Sequence, residues 1–273
     1  MHFINVILFQ GGLGNQMFQY ANAIALRKQH PLQLMLFDSN DSVNAHGGLQ
    51  ILNIFGIKEK WRLSLLKLIK KRIPKLLTAF RKDIGDISPD SRCIRISHHY
   101  IGYYQNESYF FSQKDVLRKN FSFNTIKLNN RTKDAAETIK KQNSISLHIR
   151  RGDYLTEGEQ FVNLTPDYYQ KSIDYIVSRK GEGHVYVFSD DIAWCKENIK
   201  HKNITFVDWN NGNDCWQDMY LMSCCKHNII ANSTFSWWGA YLNSNPSKIV
   251  IAPKQWKKDG LSTNIVPDNW IKI

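Results

Sequence analysis

The sequence contains no Cys-x-x-Cys pair, and its five cysteines, Cys93, Cys195, Cys215, Cys224 and Cys225, leave one over. That excludes a zinc-finger spacing and a closed disulfide framework. A bridge between the neighbours Cys224 and Cys225 would strain the peptide joining them, so a reducing compartment is expected. No apolar run approaches the ~20 residues that span a bilayer. The opening stretch Met1 to Phe9 has neither a basic n-region nor a small-residue cleavage site. The expected location is the cytoplasm, where the Asn-x-Ser/Thr triplets at Asn106, Asn163, Asn203 and Asn232 carry no glycan. No Asp-x-Asp triplet stands beside a plausible strand end, and the nine histidines show no metal-ligand spacing. Neither a metal nor another cofactor is expected. Internal repeats and low-complexity linkers are also missing.

What is present is ordinary globular material. The chain is 42% hydrophobic and 22% charged over 273 residues, long enough for two α/β halves. Its net charge of +12 is concentrated in Lys58–Lys82, KEKWRLSLLKLIKKRIPKLLTAFRK. There apolar residues recur at helical spacing between lysines and arginines, with Pro74 as a kink. Two plain surface helices fit this pattern, and so does peripheral contact with an anionic membrane. A basic nucleic-acid-binding protein is the alternative from a different class. The chain has no helix-turn-helix, zinc or RNP-type pattern to go with it, and nucleic acid is not expected as a partner.

Two strand–helix series are legible. Phe3–Phe9 reads as a buried strand, Gly11-Gly12-Leu13-Gly14 as a turn, and the following residues as a helix that His30-Pro31 stops. Leu32–Phe37 reads as the next strand, which makes this the start of a parallel sheet covered by helices. Residues 40–110 are less regular. A second series begins with the strand Ser144–Arg150. Thr165-Pro166-Asp167 is a helix start running to about Lys180, and strands are expected at Val185–Ser189, Ile204–Val207, Asn228–Ala231 and Lys248–Ala252. The expected division is 1–140 and 141–273.

Three runs carry chemistry. Gly12, Asn15 and Gln16 open a helix after a strand, where backbone N–H groups can meet an anion. Met17 stands where a dinucleotide fingerprint needs a third glycine, and the Lys-Ser/Thr of a P-loop is missing. A structural turn and a sugar-hydroxyl site both remain open. In Ser146-Leu-His148-Ile-Arg150-Arg151-Gly152-Asp153, alternation puts His148 and Arg150 on one face. A strand-end arginine suits a pyrophosphate leaving group; an ion pair with Asp153 is the competing reading. The third run, Asn232-Ser233-Thr234-Phe235-Ser236, offers hydroxyls and a helix dipole to a phosphate, while Trp237 and Trp238 read as core. Asp190 and Asp191, at another strand end, are placed to meet a base or ribose.

Taken together, GGLGNQMFQYA (11–21), HIRRGDY (148–154) and IIANSTFSWWGAYLN (229–243) resemble the α-1,2-fucosyltransferases, the bacterial members in particular. The runs Gly102-Tyr-Tyr-Gln105 and Val187-Phe-Ser-Asp190 fit as well. The resemblance implies an α/β, GT-B-like fold of two Rossmann-like halves facing across a cleft. The first half would receive the acceptor and the second GDP-fucose. It also implies inverting, metal-independent transfer to the 2-hydroxyl of a terminal β-galactose, on a glycan that can be lipid-linked. Arg150 resembles the arginine on the GDP phosphates, with His148, Arg151 and Asp153 around it. Asp190 resembles the nucleoside-side acid, and Asn232–Ser236 the phosphate and nucleoside loop. For the general base Asp153 is first choice, with Glu157 and Glu159 in reserve.

Overall fold

The strand-forming runs become parallel strands in the computed structural model, which describes residues 3–72, 81–84, 97–156, 161–259 and 264–273. The chain divides into two units, Met1–Asn124 and Thr125–Ile273. The division comes earlier than the expected 140 because helix α5 (Asn130–Lys141) belongs to the second unit. Asn129 begins that attachment: its N–H donates to Gln217 Oε1 at 3.0 Å and its side-chain amide to Asn210 Oδ1 at 2.8 Å. Thr132 Oγ1 donates to the same Asn210 oxygen at 2.9 Å.

The first unit holds a four-stranded parallel sheet in the order β2-β1-β4-β3. Its strands are β1 (Ile4–Phe9), β2 (Leu34–Ser39), β3 (Arg81–Ile84) and β4 (Ser97–Tyr100). Helix α1 (Leu13–Gln29) makes the crossover from β1 to β2. The four-residue α2 (Ile51–Ile54), then α3 (Lys60–Arg72) and α4 (Lys114–Asn120), complete its α-helices among the described residues. Leu65, Leu66 and Ile69 of α3 pack on Val6 and Leu36, so the inner face of this basic helix is held by ordinary apolar burial. Helical character expected as far as Lys82 is corrected at its end: Arg81–Ile84 is a strand pairing with β4. The intervening residues 73–80, Pro74 included, lie outside the described residues.

The second unit holds a six-stranded parallel sheet, β10-β9-β8-β5-β6-β7. Its strands are β5 (Ser144–Ile149), β6 (His184–Ser189), β7 (Ile204–Val207), β8 (His227–Ile229), β9 (Val250–Ala252) and β10 (Ile271–Lys272). The helices after α5 are α6 (Gly152–Thr156), α7 (Pro166–Lys180), α8 (Ile192–Asn198), α9 (Trp216–Cys224) and α10 (Thr234–Leu242). β5 is buried along its whole length, as a central parallel strand covered on both faces must be. Ile145, Leu147 and Ile149 meet Tyr168, Tyr169, Ile173 and Ile176 of α7 on one face. On the other, Ser146 Oγ accepts from Asn228 Nδ2 at 2.7 Å. Trp237 and Trp238 are fully buried core residues. Cys195, Cys215, Cys224 and Cys225 are unbridged, and no described helix is long and apolar enough to cross a membrane.

Candidate active site

In the second unit the chain passes from β5 outward to β6 and β7, then returns to the other side of β5 as β8. Strand order therefore reverses between β5 and β8. At such a reversal the loops leaving the carboxyl ends diverge and open a ligand crevice. β5 leads into Arg150-Arg151-Gly152 and β8 into Ile230-Ala231-Asn232-Ser233, so topology brings the second and third sequence runs to one sheet edge.

The two arginines have different environments because consecutive residues of a strand point to opposite faces. Arg151 turns toward α8. Its Nε lies 3.2 Å from Asp191 Oδ2 and its guanidinium sits 4.0 Å from the Trp194 ring centroid. Arg150 follows the parity of His148. Its Nη1 lies 3.0 Å from Asp190 Oδ2, with about a third of the side chain, 32%, still exposed. Both are paired, but Arg151 is stacked closely on its ring, whereas Arg150 lies 5.9 Å from the Tyr154 ring centroid and keeps more of its side chain exposed, 32% against 22%.

The acids behind them build the loop. Asp190 Oδ1 accepts from Arg151 N–H at 2.9 Å, and Oδ2 accepts from Gly152 N–H at 3.1 Å while also meeting Arg150. A Cβ on Gly152 would stand 2.9 Å from that carboxylate oxygen, so the close approach requires glycine. Both oxygens of Asp190 are engaged within the protein, and its role in this structure is to fix the β5–α6 turn. Asp191 caps α8, accepting from Trp194 N–H at 3.1 Å. Both acids, read in the sequence as placed to meet a base or ribose, position these loops while keeping 25% and 33% of their side chains exposed. Arg150 pairs with Asp190; the side chain of Asp153, its partner in the competing sequence reading, lies outside the described residues.

His148 is buried, with its Nδ1 lacking a hydrogen-bond partner among the described residues and its ring 5.9 Å from that of Phe235. Burial, reinforced by the Arg150 charge, pulls its pKa down to about 3, so the imidazole is neutral at working pH. The Asn232–Ser236 run divides. Asn232 is buried, donating from its amide to Val162 O and Trp256 O at 2.9 Å each. Ser233 caps α10 by accepting from Phe235 N–H at 3.3 Å, and Ser236 Oγ donates to Ser233 O at 3.3 Å. The side chains of Asn232 and Ser236 are thus bonded inward, within the loop that they build. Thr234 and Phe235 are the half-buried side chains of the run. Tyr154 OH donates to Asn232 O at 2.8 Å and ties α6 to the same loop.

Asp153 lies in α6, and its side chain falls outside the described residues, as do Glu157 and Glu159. One acid that sequence reasoning passed over is Asp218, in the first turn of α9. Its Oδ1 accepts from Asn210 Nδ2 at 2.7 Å, and burial pushes its pKa up to about 7. Cys215, one turn earlier, feels both Asp218 and Arg150. An acid in the first turn of a helix is so ordinary that nothing in the sequence marks this one. Among the described residues no three His, Cys, Asp or Glu side chains gather as a metal site.

The first unit repeats the topology, with its reversal between β1 and β4. Gly11 has φ +70°, and a Cβ there would meet Asn15 Nδ2 at 2.5 Å. Gly12 is the N-cap residue of α1. Asn15 is half-buried, its Oδ1 accepting from Gln105 Nε2 at 2.9 Å. Gln16, expected to be exposed, is wholly buried. Its Nε2 donates to Gly11 O and Gly48 O, and its Oε1 accepts from the N–H groups of Gln50 and Ile51. With every polar position used by main chain, Gln16 staples two loops and offers nothing to a sugar.

Residues 2–273 match the family described as Glycosyl transferase family 11. An alpha-1,2-colitosyltransferase of Escherichia coli is 38% identical, over 99% of this chain and 99% of that relative. The O-antigen biosynthesis glycosyltransferase WbnK of Escherichia coli is 35% identical, over 96% and 98%. Among solved structures, NodZ alpha-1,6-fucosyltransferase co-crystallized with GDP shares the fold at a TM-score of 0.53 and 13% identity, over 88% of this chain and 92% of that one. The architecture is accordingly of the GT-B kind, with two Rossmann-like halves.

Proposed function

The chain belongs to glycosyl transferase family 11, and from that membership we propose that it moves L-fucose from GDP-fucose to the 2-hydroxyl of a terminal β-galactose on a surface glycan. The observation that carries the reading is the Arg150 guanidinium, held by Asp190 at the strand-order reversal and still partly exposed. Transfer breaks the bond between the sugar's C1 and the β-phosphate oxygen as the acceptor oxygen bonds to C1 from the opposite face. The β-linked donor then yields an α-linked product. Negative charge grows on the departing diphosphate, and a positioned guanidinium stabilises that growth more than it stabilises the bound donor. In this reading Arg150 supplies the charge balance without a metal. Thr234 and the dipole of α10 assist at the phosphates, and the acceptor proton passes to Asp153, to Glu157 or Glu159, or to water. The acceptor is assigned to the first unit, whose loop at Gly12 and Asn15 is neutral and amide-lined.

A second reading shares the mechanism and changes the donor sugar. The 38% identical relative is an alpha-1,2-colitosyltransferase, and colitose is fucose without its 3-hydroxyl, so GDP-colitose is the competing donor. The WbnK relationship supports an O-antigen repeat as the glycan. A panel of GDP-fucose, GDP-colitose and GDP-mannose against galactose-terminated acceptors, read by mass spectrometry, tests both. Fucosyl product formed equally with and without chelator, and lost in Arg150→Ala, is the expected result. Product from GDP-colitose alone overturns the fucose assignment, and activity abolished by chelator overturns metal independence.

A further inference from the structure

The basic segment has a use that the transfer reaction does not absorb. α3 buries Leu65, Leu66 and Ile69 against the first unit's sheet, which turns the opposite face outward. That outer face carries Trp61 and Leu68, two turns apart and 49% and 52% exposed, among Lys60, Lys67 and Lys71. The helix contains no acidic residue and six Lys or Arg among its thirteen. Lys70 is different: it lies 2.6 Å from Asp38 Oδ2 and is spent within the fold.

Beside Trp61 runs a groove of about 1000 Å³ that reaches Lys28 at the end of α1, Lys58, and Val116 and Lys119 of α4. Its acid, Glu59, is already taken by Arg27 at 2.6 Å, so the remaining cations set its charge. Leu32, 99% exposed, stands in the turn between Pro31 and Gln33, both of which line the groove. The groove includes Leu34, the residue that pairs with Ile4 at the start of the sheet. It therefore occupies the amino edge, opposite the carboxyl edge where Gly11 and Gly12 lie.

We propose that this amino edge of the first unit, with the outer face of α3, docks on an anionic phospholipid bilayer. Large apolar side chains set among lysines that have no ion pair among the described residues match a surface that is negative at its headgroups and apolar beneath. Each lysine near such a surface contributes on the order of 1 kcal/mol, and a tryptophan is suited to the boundary itself.

The test is sedimentation of the full chain with vesicles of phosphatidylglycerol and phosphatidylethanolamine, against vesicles of phosphatidylcholine, at ~0.1 M salt. Binding is expected to the anionic vesicles alone. The triple variant Lys60→Gln, Lys67→Gln, Lys71→Gln should lower the partition coefficient about a hundredfold. Trp61→Ser with Leu68→Ser, all charges intact, should lower it about tenfold or more. A control triple, Lys127→Gln, Lys133→Gln, Lys141→Gln, removes the same charge from exposed sites of the second unit and should leave binding unchanged. All variants should keep their melting temperature and their transfer to a soluble acceptor, which separates this result from the fate of the donor assignment. Absence of sedimentation with anionic vesicles, an equal loss in the control triple, or displacement of the vesicles by an oligonucleotide overturns the proposal.

Discussion

The two units solve one topological problem with opposite chemistry. Each has a parallel sheet whose strand order reverses beside a central strand, β1 in the first and β5 in the second. At the first reversal the side chains are neutral amides: Gln10, Asn15 and Gln105 are half-buried there, backed by Gln16 and Gln19, which are fully buried and bonded to main chain. At the second they are charges: Arg150 and Arg151 against Asp190 and Asp191. Topology thus locates a crevice in either sheet, and the side chains decide what enters it. Neutral amides match hydroxyl groups, which need donors and acceptors without net charge. A guanidinium matches a diphosphate.

The sharpest way to break this comparison is to remove the charge that faces outward. Arg150→Ala should lower transfer by about 10²–10³-fold, measured as kcat at saturating donor and acceptor. Arg150→Lys should recover little of it, since a point charge does not reproduce the planar fork. Arg151→Ala is the matched control. Arg151 is paired with Asp191 and stacked on Trp194, with 22% of its side chain exposed, so its loss should cost about 1–2 kcal/mol of stability and far less activity. Equal losses of activity in the two alanine variants would erase the distinction drawn between them.

Next in size is the carboxylate behind the pair. Asp190→Ala frees Arg150 together with the N–H groups of Arg151 and Gly152. A displacement of about 1 Å in a catalytic group can cost on the order of a hundredfold, and a tenfold to hundredfold fall in transfer is expected. Asp190→Asn keeps an acceptor oxygen and should fall between the alanine variant and the parent. If Asp190 instead contacts the donor's nucleoside, Asp190→Ala will raise the donor KM while leaving kcat near the parent value.

Much of this arrangement was legible, and the illegible part has a physical pattern. Alternation along Ser144–Arg150 was enough to separate His148 and Arg150 from Leu147 and Ile149, because strand geometry is local. Thr165-Pro166 likewise marked the start of α7. What the sequence does not show is the set of partners distant along the chain. Gln16 is buried by Gly48, Gln50 and Ile51, and Asn232 by Val162 and Trp256. A polar side chain after a glycine-rich turn looks the same in sequence whether it meets solvent or a loop thirty residues away. The unit boundary failed for the same reason, since Asn129 and Thr132 are claimed by Asn210 and Gln217.

The amide-lined unit can be tested on its own terms. Gln16→Ala leaves two main-chain oxygens and two N–H groups without their buried partner. One uncompensated polar group costs about 1–3 kcal/mol, and a total of about 2–4 kcal/mol is expected once some groups find water. Denaturant unfolding should show this loss while donor affinity, measured by calorimetry with GDP, stays at the parent value. A fall in GDP affinity as large as that of Arg150→Ala would mean that the neutral edge carries the donor after all.

A pH-dependent test concerns Asp218, the one carboxylic acid among the described residues of the charged unit whose ionisation burial is seen to oppose. Its pKa stands near 7 against an ordinary 3.8, so the folded chain holds a proton that the unfolded chain releases. Below about pH 4 the side chain is protonated in both states and costs nothing. As pH rises through the interval up to 7 the unfolded state ionises first, and stability falls; above 7 the cost is complete and constant. Asp218→Asn removes the titration and keeps an oxygen to accept from Asn210. Its melting temperature relative to the parent should therefore climb between pH 4 and pH 7 and level off beyond. A difference that stays flat across that range would show that Asp218 ionises like an exposed carboxylate, and the contrast between a charged edge and a neutral one would then rest on the arginines alone.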